Sequence, residues 1–151
     1  MHVLIAFLAL VHASAGALWL GAMAYSLFVV RPRLAGMLDG DDETRMEEAQ
    51  QLLASGNRWP TASLIVVLWL SGIGLVAAHG GGSYGWWAGV AVKALLLTTA
   101  TALFWWVSWR GWPRRVFALP EELPALRRKF DAIAAAMLAL VGATFALGVL
   151  L

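Results

Sequence analysis

Few side chains in this chain can do chemistry, and they are sorted by position. The three histidines, His2, His12 and His79, and the one lysine inside an apolar stretch, Lys93, fall on one side of the hydropathy pattern. The acidic residues fall on the other, in two polar stretches. Imidazole and thioether groups suit copper, and the histidine side offers Met1, His2, His12 and His79, with Met23 deeper. Haem asks for an axial nitrogen, flat apolar or aromatic walls and space between helices, which His12, Trp19 and the neighbouring glycines can supply. Lys93 would then either ligate as a neutral amine or pair, as a cation, with a haem propionate. With no cysteine in the chain, thiolate metal sites, iron–sulfur clusters and thiol redox chemistry are excluded within it.

The elements that must position these groups follow from composition. Of 151 residues, 61% are hydrophobic and 13% charged, and the mean hydropathy is +0.74. A soluble domain has about a quarter of its residues charged, so this is an integral membrane protein. Four stretches, about 3–30, 60–78, 84–109 and 130–151, supply the ~20 residues that a helix needs to cross hydrocarbon, which predicts an all-α, four-helix transmembrane bundle in one domain. A membrane β-barrel would alternate polar and apolar residues, and these continuous Leu/Ala/Val runs do not. Ala13-Ser14-Ala15 resembles a signal-peptidase site, but no basic region precedes it and the apolar run continues to Val30, so the first helix is expected to be retained.

Positive charge in short loops sets orientation. The connections 31–59 and 110–129 hold ten of the eleven Lys and Arg residues, while His79-Gly80-Gly81-Gly82-Ser83 holds none. Both long loops are therefore expected in the cytoplasm and both termini outside, as in a protein of a bacterial-type inner membrane. In the first loop, acidic residues from Asp39 to Glu43, then Met46, Ala49 and Leu53 on one face, with Gly56-Asn57 as a stop, predict a short amphipathic cytoplasmic helix. Asp39-Gly40-Asp41-Asp42 lacks the spacing of a calcium loop. The second loop, broken by Pro113, Pro120 and Pro124 and carrying Arg127-Arg128-Lys129, should lie at anionic headgroups. Trp59, Trp86, Trp87, Trp109 and Trp112 fall near helix ends, whereas Trp19 and Trp69 need packing partners.

Polar residues within the spans are costly and so informative. His12, Gly16, Trp19, Met23 and Ser26 recur every three or four residues and share one inward face of helix 1. His12 and Lys93 each lie about nine residues below the outer end of their helices, roughly 13 Å at helical rise, so two nitrogen groups could meet across the interior. The plain alternatives are a hydrogen-bonded His12 acting as interhelical glue and a Lys93 that snorkels outward. Ser71, Gly72 and Gly74 on helix 2, and Gly142, Thr144 and Gly148 on helix 4, read as close-packing faces that permit a tight bundle, a homo-oligomer or a partner subunit in the membrane.

His12, Trp19 and Gly21 in a first helix of a four-helix layout resemble the copper-resistance D (CopD) family. The chain also looks like the related HemJ-type protoporphyrinogen oxidases, sharing His12, Trp19, Arg31-Pro32-Arg33-Leu34, a proline opening helix 2, and Trp86 or Trp87 ahead of Lys93. It departs from the latter at Ala35-Gly36-Met37-Leu38 and at Asp131-Ala132-Ile133. The first resemblance implies copper held or moved at the outer side, with His2, His12 and His79 as ligands. The second implies a haem b at His12, Lys93 and Trp19, and an oxidoreductase or electron-transfer role. A third reading is a structural subunit in which His12 and Lys93 only pack. No nucleophile–base pair, phosphate loop or extended basic and aromatic surface supports a hydrolase, a kinase or a nucleic-acid partner.

Overall fold

The computed structural model describes residues 2–37, 43–119 and 121–150. Among them the backbone is helical apart from the turn at 80–83 and the described part of 117–122, and there is no strand. Helix α1 (His2–Tyr25) passes through a π-helical turn (Ser26–Val30) into α2 (Arg31–Met37), and α3 covers Glu43–His79. Helix α4 (Tyr84–Trp106) passes through a second π-helical turn (Val107–Gly111) into α5 (Trp112–Val116), and α6 covers Leu123–Leu150. Four stretches are long and apolar enough to cross a membrane: His2–Leu34, Glu48–His79, Tyr84–Val116 and Leu123–Leu150.

Helix α1 packs most extensively on α3 and next on α6, and α4 packs on α6. At the centre stands Trp19, 1% exposed, the largest fully buried side chain. Around it lie Ile65 and Leu68 of α3, Leu97 and Phe104 of α4, and Met137 and Val141 of α6. The expected face of helix 1 is thus the one that faces inward, with Gly16 and Trp19 buried and Met23 packed against the core. Large apolar residues on the opposite faces, Phe7, Leu18, Leu70 and Leu95 among them, are exposed, as hydrocarbon solvent permits. Trp69 also has its partner, since its indole N–H donates to Thr101 Oγ1 at 3.4 Å.

The helices run past the expected boundaries, and α3 does so most. No separate short helix precedes the second span: α3 is one helix of 37 residues that continues through Gly56, Asn57 and Pro60. Residues 38–42, with most of the acidic cluster, lie outside the described residues. Pro60 deletes one backbone hydrogen bond and costs about 3 kcal/mol in a helix interior, but contacts along the segment before it hold the axis. Gln50 accepts a hydrogen bond from buried Arg115 at 2.7 Å, and the Trp59 ring meets Trp109 edge-on at 6.4 Å. Similarly α6 begins at Leu123 rather than near residue 130, and much of 31–59 and 110–129 is helix.

These contacts also bring the two long connections to one end of the bundle. Arg31 of α2 forms an ion pair there with Asp131 of α6. The Arg115 guanidinium lies over the Trp112 and Phe130 rings, 5.1 and 5.3 Å from their centroids. Phe130 presses against the second π-helical turn, where a Cβ built on Gly111 would stand 2.9 Å from Phe130 Cζ. Gly111→Ala therefore forces a buried ring to move and should cost ~1–3 kcal/mol, more than the ~1 kcal/mol it gains in helix propensity. Thermal unfolding in detergent checks this: the midpoint falls for Gly111→Ala and rises for Gly56→Ala, which gains the same helix propensity while its added Cβ meets nothing within 4 Å.

Candidate functional site

The end opposite the arginines holds a cavity of about 290 Å³. Helix α1 brings His12, Gly16 and Trp19 to it, and α4 brings Lys93 and Leu97. Val141, Thr144, Phe145 and Gly148 of α6 and Leu68 and Leu75 of α3 complete the wall. His12 and Lys93, from helices far apart in sequence, thus line one space.

The His12 ring is fixed from α3. Its Nδ1 lies 2.9 Å from Ser71 Oγ, and the Ser71 hydroxyl lies 2.6 Å from the Val67 carbonyl oxygen. A hydroxyl has one proton; here it goes to the carbonyl, so Ser71 Oγ accepts and His12 Nδ1 carries the hydrogen. Nε2 then keeps its lone pair, the form in which a histidine ligates metal while its other nitrogen donates to a fixed partner. Close approach depends on Gly72, where a Cβ would stand 3.2 Å from His12 Cε1. Ser71 and Gly72 read as packing in the sequence. The signal for Ser71 was its position, for it is the one hydroxyl in the outer half of the second span.

Lys93 reaches toward α6. A Cβ built on Gly148 would stand 3.1 Å from Lys93 Nζ, so the ammonium lies over the glycine two residues before the end of that helix. Gly148 and Thr144, also read as packing, therefore belong to the site. The ion pair among the described residues joins Arg31 to Asp131 at the far end, and the described acidic side chains Glu48, Glu121, Glu122 and Asp131 all belong to the arginine end.

The other histidines are elsewhere. His2 opens α1 and is exposed, ten positions before His12, about 15 Å along the helix. His79 ends α3 and stacks on Trp86, with ring centroids 4.4 Å apart, across a turn in which Gly80 and Gly81 take positive φ of 72° and 126°. Among the described residues no three His, Asp or Glu side chains gather as a metal would need, so the expected grouping of His2, His12 and His79 in one site is not what the fold builds. The three share a side of the bundle without sharing a location. Met1 lies outside the described residues.

The donor set that does assemble is one imidazole and one primary amine in apolar and aromatic surroundings. It fits a cofactor that takes an axial nitrogen and has a flat apolar body. At about 290 Å³ the cavity lies at the lower edge of the ~300–1,000 Å³ usual for small-molecule sites, room for the edge of a macrocycle. Comparison with family models, with curated proteins and with solved structures found no match to this chain.

Ser71→Ala removes the side-chain acceptor of Nδ1–H at a cost of ~1 kcal/mol and loosens the tautomer. Nitrogen-15 NMR of the histidine-labelled protein should show His12 with a protonated Nδ1 and a bare Nε2, and a tautomer mixture in Ser71→Ala. A protonated Nε2 in the parent protein would refute the assignment.

Proposed function

We propose that this protein is a haem-b-binding membrane protein of the bacterial-type inner membrane, acting as an oxidoreductase or electron-transfer subunit of the HemJ-like kind. The observation that carries this reading is the place of His12: its Nδ1 is 2.9 Å from Ser71 Oγ, and the residue lines a cavity shared with Lys93, which supports a ring held through Nδ1 with Nε2 free to ligate. His12 would hold the haem through its imidazole, with Trp19 and Phe145 beside its apolar body and Lys93 as a second nitrogen in the site. A bound b-type haem supplies one-electron chemistry. The chain's own part is to hold the imidazole in one tautomer, exclude water with Leu68, Leu97 and Val141, and keep a cation at the rim.

The distribution of loop charge supports an orientation with the arginine end in the cytoplasm and the His12 cavity in the outer half. The copper reading needs more than one soft or imidazole donor at a site, and here His12 has neither His2 nor His79 beside it. That favours haem over copper.

The test is an absorption spectrum of detergent-purified protein, oxidised and dithionite-reduced, with metal analysis of the same sample. A Soret band that sharpens on reduction, is lost in His12→Ala and survives in His2→Ala and His79→Ala is the expected result. A colourless protein whose copper is lost on substituting His2 or His79 would overturn the haem reading.

A further inference from the structure

The rim of the cavity has a composition that the haem reading does not use. Where α1 and α6 meet, Gly16 faces Phe145 and Gly142 faces Leu20, with a Cβ on either glycine at 3.4 and 3.7 Å from the opposing ring or methyl. Toward the outer end of that seam the lining residues are Ala9 and Ala13 of α1 and Gly148 and Val149 of α6, and all four are exposed. The cavity is therefore open along the seam. Ala9 and Ala13 lie seven and eleven positions past His2, about 10 and 16 Å along α1, within the apolar span. The side chains that edge the opening are small or apolar, so hydrocarbon can reach it.

Just inside stands a cation. Lys93 Nζ lies over Gly148, and the described carboxylates are at the other end of the bundle. An ammonium inside a span is stabilised by a paired anion. The wall residues Thr144 and Ser71 offer only neutral hydroxyls, each donating to a carbonyl of its own helix, Leu140 and Val67, so neither is the counter-charge.

We infer that the cavity is loaded sideways from the bilayer through the α1–α6 seam, and that its ligand is a membrane-dissolved amphiphile whose carboxylate is received by Lys93. The inference rests on reading the cavity as a ligand site but not on the ligand carrying iron. An acidic head group alone among apolar matter meets its counter-charge only after passing the four small side chains, so the seam selects for a thin apolar body and Lys93 for the acid.

The experiment uses the full chain in nanodiscs, without haem, and two photoreactive probes: octadecanoic acid with a diazirine midway along the chain, and the matching octadecanol. Peptide mapping should find the acid attached to the segments around Ala9–Ala13 and Gly148–Val149, about tenfold above the alcohol, as expected for one charge-assisted pair. Lys93→Met should bring the acid down to the alcohol's level, Lys93→Arg should keep the preference, and Ala13→Phe should reduce labelling by both probes. His79→Ala, at a residue that lies outside the cavity, should leave the acid preference in place. Equal labelling by acid and alcohol, or an undiminished acid preference in Lys93→Met, would overturn the inference whether or not the protein binds haem.

Discussion

Hydrocarbon offers a polar side chain no hydrogen-bond partner, so each one on a span must find its partner on the chain itself. That constraint organises this bundle. Thr98, Thr99, Thr101 and Thr144 turn their hydroxyls onto the carbonyl four residues back, and Trp69 crosses from α3 to Thr101 of α4. His12 cannot satisfy itself within α1, and its bond to Ser71 pins α1 to α3, the most extensively packed pair. The same bond that places the helices also decides which imidazole nitrogen is left with a lone pair.

The two ends of the bundle solve different problems with the same residue types. At the arginine end cations are packed against aromatic faces: Arg58 over Trp109, Arg115 over Trp112 and Phe130, Lys129 over Trp106. Each such contact is worth about 0.5–2 kcal/mol, and Arg115 is buried, with Gln50 taking one of its N–H groups. At the other end the single cation, Lys93, meets small residues and space. Each end has a recess, of about 280 Å³ beside Arg58 and Trp112 and about 290 Å³ beside His12 and Lys93, so the contrast between the ends lies in what surrounds the cations, aromatic rings at one and small residues at the other.

Legibility in the sequence followed the range of the forces involved. The four spans were readable because hydropathy is summed over some twenty residues, and the inward face of helix 1 because burial repeats at helical period. The extent of α3 was not: Gly56, Asn57 and Pro60 are local breakers, and what overrides them are contacts from α4 and α5 far along the chain. Nor was Ser71, because a small residue that packs and a small residue that accepts a hydrogen bond look alike until the opposite helix is rotated into place. The grouping of the histidines failed for a related reason: sidedness in a membrane is a one-dimensional statement, and a site needs three dimensions. The shared cavity of His12 and Lys93 was approached through matched depth, and it took the glycines at 72 and 148 to bring either side chain against its neighbouring helix.

The length of α3 has a mechanical meaning. Thirty-seven residues make a rod of about 55 Å, against ~30 Å of hydrocarbon, so a large part of it stands clear of the bilayer. Gln50 and Ser71 are on that same rod, 21 positions apart, about 32 Å. Arg115 grips it near one end and His12 leans on it near the other. One continuous helix thus carries both the anchorage to Arg115 and the residue that orients an imidazole deep in the bundle.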